Sequence, residues 1–280
     1  MRSIAWVTDS TCTIDPFFAR DNHVYIVPLR LIVGEEVYRE SIDISAEDFY
    51  EKMKNESKIS SSQPPVGEFI ELYEQLKDKY DDVIAIHCSS ELSGTLHASL
   101  QAAEIAEVNV VGIDSQAGAF PLREMIESGI EWYKQGDTVG VIKEKIQNMV
   151  QNLRFYLIPA SLHRLHSSGR VSGTQLAVSQ LLRIHLLLRF DQGKIVVAEK
   201  IRTFKKARQR MMDVLKEDIK KIRKVCIMHA NNEEEAKQME QEITSSHPSL
   251  QTEIMTFIPV VGIHAGEGTI AMSWIRNHTR

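Results

Sequence analysis

Two short apolar runs constrain this chain more than any other feature. Asp82–Cys88 (DVIAIHC) and Val108–Ile113 are nearly continuous in apolar residues rather than alternating, as strands covered on both faces are. Helix-like stretches lie before, between and after them, at Val66–Lys79, Thr95–Ala106 and Gly118–Lys134. With a short strand at Ser3–Thr8, this β-α-β-α rhythm predicts a parallel sheet with helices on both faces. Val24–Val33 is mostly apolar with Pro28 inside it, and reads as one strand with a break. Ser45-Ala-Glu-Asp48 is a capping sequence for a helix to about Asn55. Residues 57–65 read as a Ser/Pro-rich loop, with Pro65 in the first turn of the next helix.

The rhythm changes near Gly136. Beyond a helix at Val139–Asn152, the segments Leu186–Phe190 and Lys194–Lys200 flank Asp191-Gln-Gly193 as a hairpin would. Helices at Phe204–Lys220 and Asn232–Ser245 and strands at Phe155–Pro159, Lys224–His229, Thr252–Phe257 and Gly268–Trp274 complete the expectation. A hairpin among such elements predicts a mixed or antiparallel sheet. The fold class is therefore α/β, an N-terminal parallel-sheet domain followed by a C-terminal α+β domain. A length of 280 residues suits two domains, and the change of rhythm places them at 1–153 and 154–280.

Composition removes several functions. A net charge of −5 gives no counterion-releasing surface for nucleic acid. The basic stretch Lys200–Lys224 has helical spacing and interleaved acids, and reads as a solvated helix face. Cys12, Cys88 and Cys226 are far apart and odd in number, which argues against a disulfide framework and a zinc site. The opening MRSIAWVTDS lacks a signal-peptide pattern, and the apolar run at 181–190 is too short and too charged to span a membrane. A cytoplasmic protein is expected.

Four loops rich in hydroxyls or glycine follow predicted strands, where α/β sheets place their ligands. Thr8-Asp9-Ser10-Thr11 offers a carboxylate that orients hydroxyls or caps a helix. Ser60-Ser61-Ser62-Gln63-Pro64-Pro65 leads into a helix, whose free N–H groups favour an anion. Ser89-Ser90-Glu91-Leu92-Ser93-Gly94-Thr95 joins a buried strand to a helix. Gly94 permits close approach, and Ser93 and Thr95 supply hydroxyls, in binding or in capping that helix. It is neither a nucleophile elbow, since Glu91 stands where Gly is needed, nor a Walker A loop. The fourth, Gly262-Ile-His264-Ala-Gly266-Glu-Gly268, sets one His among three glycines at a strand end. No metal cluster or dinucleotide fingerprint appears, so hydroxyls without a cofactor suggest binding more than chemistry.

In this order the motifs resemble the DegV family of bacterial fatty-acid-binding proteins. The resemblance spans essentially the whole chain and adds Asp114-Ser115, Leu162-His-Arg-Leu165 leading to Gly169-Arg170-Val171, Leu181-Leu-Arg-Ile184 and Lys200-Ile-Arg202. It implies one bound long-chain fatty acid, such as palmitate, and no other cofactor. The carboxylate is held by Ser61, Ser93 and His264, with Asp9, Ser62, Gly94 and Thr95 in support. The acyl tail lies in an apolar tunnel between the domains. By the same resemblance the chain is not itself an enzyme. A separate fatty acid kinase subunit phosphorylates the carboxylate to an acyl phosphate with ATP, for phospholipid metabolism, and Arg170 and Arg202 face that subunit or the phosphate. Transient membrane contact is compatible with such a carrier.

The chain departs from the family in four places. Ser61 stands where Thr is usual. Ser168-Gly169-Arg170 replaces Gly-Gly-Arg, and His185-Leu186 replaces a Lys-Pro pair. Gly266-Glu267-Gly268 replaces Gly-Pro-Gly, so Glu267 must point away from a carboxylate or pair. Two other readings stand beside the carrier: a serine hydrolase of lipid esters using Ser93, His264 and Asp9, and a lipid-sensing regulatory module.

Overall fold

The computed structural model describes residues 3–56, 58–171 and 184–277. The motif residues Leu181, Leu182 and Arg183 lie outside them. As far as residue 152 the strands are β1 (Ile4–Asp9), β2 (Val24–Val27), β3 (Arg30–Val33), β4 (Glu36–Arg39), β5 (Ile59–Ser62), β6 (Asp82–His87) and β7 (Val110–Asp114). The helices are α1 (Pro16–Asp21), α2 (Ala46–Asn55), α3 (Val66–Lys77), α4 (Thr95–Ile105), α5 (Ala119–Lys134) and α6 (Val139–Asn152).

The chain forms two compact units, residues 1–45 with 56–151, and residues 46–55 with 152–280. Helix α2 thus belongs to the second unit although it lies early in the sequence.

The first unit has a parallel sheet in the order β2-β1-β6-β7. Its strands are apolar on both faces because helices cover both. Trp6, Ile84 and Ile86 pack with Leu122, Met125, Ile142 and Ile146 of α5 and α6. The alternate residues Ala5, Val7, Val83 and Ala85 pack with Phe69, Tyr73 and Ala102 of α3 and α4. That period of two is the strand pleat.

Val24–Val33 is not one broken strand. Val24–Val27 joins the parallel sheet, whereas Arg30–Val33 begins a second, antiparallel sheet of order β4-β3-β5. Pro28, with no N–H to donate, marks the exchange, and the Leu29 N–H donates to Ser10 Oγ at 3.1 Å. The Ser-rich loop is also partly strand: Ile59–Ser62 pairs with Arg30–Val33, with Ser61 opposite Leu31.

In the second unit, β8 (Leu153–Ile158), β9 (His185–Asp191), β10 (Lys194–Ile201), β11 (Lys224–His229), β12 (Gln251–Thr256) and β13 (Ile270–Ile275) form a mixed sheet of order β10-β9-β8-β13-β11-β12. Only β11 and β12 pair in parallel. The hairpin turn has Asp191 opposite Lys194 and both loop residues left-handed, Gln192 at φ 49° and Gly193 at φ 81°, as a two-residue turn matched to strand twist requires. Helices here are α7 (Leu162–Ser167), α8 (Phe204–Asp218), α9 (Glu233–Ser246) and α10 (Pro259–Ala265). Met211 and Leu215 of α8 and Met239 and Ile243 of α9 share a core with Leu187, Ile227, Met272 and Trp274 of the sheet.

The basic stretch is largely α8, and acids meet its arginines. Arg208 pairs with Glu235 at 2.5 Å and Glu242 at 2.8 Å, and Arg210 pairs with Glu199 at 2.5 Å. Among the described residues no helix is long and apolar enough to cross a membrane.

Candidate functional site

The carboxyl ends of β1, β6 and β7 and the end of β5 gather the hydroxyl-rich loops of the first unit. Asp9 ends β1 and is fully buried. Its Oδ2 accepts from His87 Nδ1 at 3.0 Å and from the Cys88 N–H at 2.9 Å. Its Oδ1 accepts from the Thr11 N–H at 3.0 Å and Thr11 Oγ1 at 2.6 Å. Burial alone would raise the carboxyl's pKa, but the bonds from His87, Thr11 and Cys88 outweigh it and hold the group below its ordinary value.

The network continues inward. His87 Nε2 lies 3.0 Å from Ser99 Oγ, which lies 2.5 Å from the Tyr73 hydroxyl. In the neutral tautomer that donates Nδ1–H to Asp9, Nε2 accepts from Ser99. Ser99 stands one helical turn beyond Thr95 on α4, so this chain of bonds ties the start of α4 to the ends of β1 and β6.

Helix α4 begins at Gly94, which caps it without any side-chain hydrogen bond. Ser93 is therefore not the helix cap that its position suggests. Its hydroxyl lies 2.8 Å from Thr95 Oγ1. An uncapped helix start leaves backbone N–H groups for an anion, next to these two hydroxyls.

A Cβ on Gly94 would sit 3.1 Å from Gln63 Cδ and closer still to its Oε1. Gln63 follows Ser61 and Ser62, so the β5 end and the Ser93-Gly94-Thr95 loop meet through this contact. Gly118 closes the cluster, where a Cβ would lie 3.4 Å from Thr11 Oγ1. The Cys88 thiol is held well above its ordinary pKa, by burial and then by the charge of Asp9, and is no nucleophile.

His264, Arg170 and Arg202 belong to the second unit. His264 is not in a loop at a strand end, as expected. It lies in the last turn of α10, which starts at Pro259 and ends at Gly266, φ +91°. Gly262, two residues before it, admits the Tyr50 ring of α2; a Cβ there would lie 2.5–2.9 Å from two ring carbons and the hydroxyl oxygen. Burial, and then the charge of Arg170, push the His264 pKa down to about 4. The imidazole is therefore neutral near pH 7.

Arg170 follows Gly169, which takes the left-handed conformation at φ +73°. Ser168 sits at φ −82°, open to any residue, so Ser in place of Gly leaves this turn unstrained. Arg170 donates to the Ser168 carbonyl, and burial lowers its pKa. Arg202 follows β10 and is exposed. Glu267 accepts from Asn231 Nδ2 at 2.6 Å, so the additional carboxylate is paired.

His87 and Ser99 are not among the residues the sequence nominates, and Gln63 enters only as part of the loop Ser60–Pro65. His87 sits inside an apolar run, and its partner Asp9 is 78 residues away. Asp9 engages both oxygens within its own unit, which leaves the hydrolase reading without its orienting carboxylate.

The chain belongs to the DegV family. The model of that family, described as uncharacterised proteins, matches residues 3–277. A DegV domain-containing protein of Halalkalibacterium halodurans is 37% identical over 98% of this chain and 99% of its own length. Protein DegV of Bacillus subtilis is 35% identical over 97% of this chain and 99% of its own. The crystal structure of DegV from Bacillus subtilis, a fatty acid binding protein, matches with a TM-score of 0.90 at 34% identity, covering 99% of this chain and 100% of that one.

Proposed function

We propose that this DegV family member binds one long-chain fatty acid. Its carboxylate is taken by the hydroxyls of Ser61 and Ser93 and by His264, and its tail runs in an apolar tunnel. The observation that carries this reading is the start of α4, uncapped by any side chain, with the Ser93 and Thr95 hydroxyls 2.8 Å apart beside it. The Bacillus subtilis relative of known fold, described as a fatty acid binding protein, supports the same ligand. Burial gives about 0.8 kcal/mol per methylene, so a long tail supplies affinity on the order of 10 kcal/mol before ordering costs. Hydroxyl and N–H donors then offset the desolvation of the carboxylate.

The chain is proposed to act as a carrier in the cytoplasm rather than as a catalyst. A separate kinase subunit phosphorylates the presented carboxylate with ATP, giving an acyl phosphate for phospholipid metabolism. Arg170 and Arg202 face the partner or the new phosphate. Native mass spectrometry of bacterially expressed protein should show one fatty acid per chain, lost in a Ser61→Ala/Ser93→Ala double variant. A chain that is reproducibly empty, or a lipid retained by that variant, overturns the binding site. Acyl phosphate should form only with both ATP and the kinase subunit; its absence in that mixture refutes the carrier role while leaving binding intact.

A further inference from the structure

The charges of this acidic chain are unevenly divided. The first unit carries 23 Asp+Glu against 11 Lys+Arg, and the second 15 against 22. Part of that excess gathers where β8 begins and β9 and β13 end. There Arg154 stands opposite Trp274, and Arg189 opposite Tyr156. Arg276 and Lys221 flank Asp218. The place is remote from His264: the N–H of Ser161, just past the other end of β8, donates to the carbonyl of Ala265 at 2.9 Å, and six strand residues span about 20 Å.

Three of the four cations have a carboxylate. Arg276 Nε donates to Asp218 Oδ2 at 2.6 Å, with Lys221 Nζ 3.9 Å from Oδ1, and Arg189 pairs with Asp191 at 2.8 Å. Arg154 has none among the described residues; its Nη1 donates to its neighbour's carbonyl, Leu153 O, at 2.7 Å. A guanidinium has five N–H donors in a planar fork, and most of these therefore remain to be met. The residue is only partly exposed, so water does not surround it freely. Burial, then the charge of Arg276, with Arg189 adding to it and Asp218 opposing, lowers its pKa. A cation in that position is stabilised by an added anion.

We propose that Arg154, with Arg189, Arg276 and Lys221, forms a phosphate-binding site at this end of the second sheet, separate from the fatty acid site. Four cations against Asp191 and Asp218 leave two positive charges, which a phosphate group of about −1.5 to −2 at pH 7 balances. A tetrahedral oxyanion also presents more acceptors to converging guanidinium forks than a carboxylate does. Lys220 and Arg223, both exposed, extend the positive field around the site and favour capture of the anion.

The test is a titration of the intact protein with inorganic phosphate at pH 7.5, against sodium chloride of equal ionic strength. Trp274 fluorescence and calorimetry are the readouts. Saturable binding is expected, weakened at least 10-fold in Arg154→Gln, with fatty acid retention unchanged. Arg189→Gln, an exposed position, should weaken it at least 3-fold and serves if Arg154→Gln does not fold. Phenyl phosphate, run in parallel, distinguishes the sources: tighter binding than inorganic phosphate assigns the site to a phosphate monoester, and weaker binding to the free ion. Phosphate binding no stronger than the chloride control, or equal in wild type and both variants, overturns the proposal. So does saturable binding of hexaglutamate without binding of phosphate.

Discussion

Replacing His264 with Gln probes the electrostatics of the site through the stability of the whole chain. Burial and the nearby Arg170 hold the imidazole at about 4, against 6.5 for an ordinary histidine. Above pH 6.5 the side chain is neutral folded or unfolded, and it adds no pH dependence. As pH falls through 6.5 the unfolded chain takes up a proton that the fold refuses until about pH 4. Unfolding is therefore favoured progressively across that window, and the penalty is complete below it. At 1.36 kcal/mol per pKa unit the wild-type chain loses about 3 kcal/mol between those limits. His229, also lowered by burial, acts in the same direction, but it is common to wild type and variant and cancels in their difference. Urea unfolding followed by circular dichroism, at intervals from about pH 7.5 to 4.5, measures the difference directly. The Gln variant should lose about 2.5 kcal/mol less than wild type over this range, which ends just above the folded pKa. Parallel stability curves for the two proteins would show that His264 titrates normally in the fold, and the account of a neutral donor would fail.

Two further substitutions separate site from scaffold. Ser93→Ala removes a hydroxyl that meets Thr95 but does not cap α4; fatty acid retention should fall while unfolding stability changes by less than about 1 kcal/mol, as mass spectrometry and urea titration on one preparation will show. Gly129→Ala does the reverse. Its Cβ would lie 2.6 and 2.8 Å from two ring carbons of Trp6, a buried residue that cannot swing aside, so the chain should lose about 1–3 kcal/mol in thermal or urea unfolding and still retain lipid.

The parallel sheet was legible because a strand covered on both faces must be apolar at every position, and Val83–Ile86 is. The same logic hid the passage between sheets at Pro28: Val24–Val27 and Arg30–Val33 are both apolar, and which neighbour a strand pairs with leaves no hydrophobic trace. Ile59–Ser62 reads as loop because Ser60, Ser61 and Ser62 are small and hydroxylic. Its pairing with Arg30–Val33 is made by backbone groups, which composition does not report. The α10 helix had its signals, Pro259 in the first turn and Gly266 at the end. A short, glycine-bearing apolar segment nevertheless shows no helical period, and it passed for a strand end.

Within the site, the hydroxyls and Gly94 could be nominated from sequence because an anion needs donors and close approach. The direction of Asp9 could not. A binding site for one carboxylate beside a second, buried and ionised, must keep the two apart or neutralise one. Here four donors from His87, Cys88 and Thr11 meet the Asp9 carboxylate. Its charge is thereby directed into the scaffold, where it fixes the end of β6 and, through His87 and Ser99, the N-terminal half of α4. The residue that looked like a partner for the ligand instead holds in place the donors proposed to receive it. Only the fold, by bringing together positions 9, 87 and 99, makes that role visible.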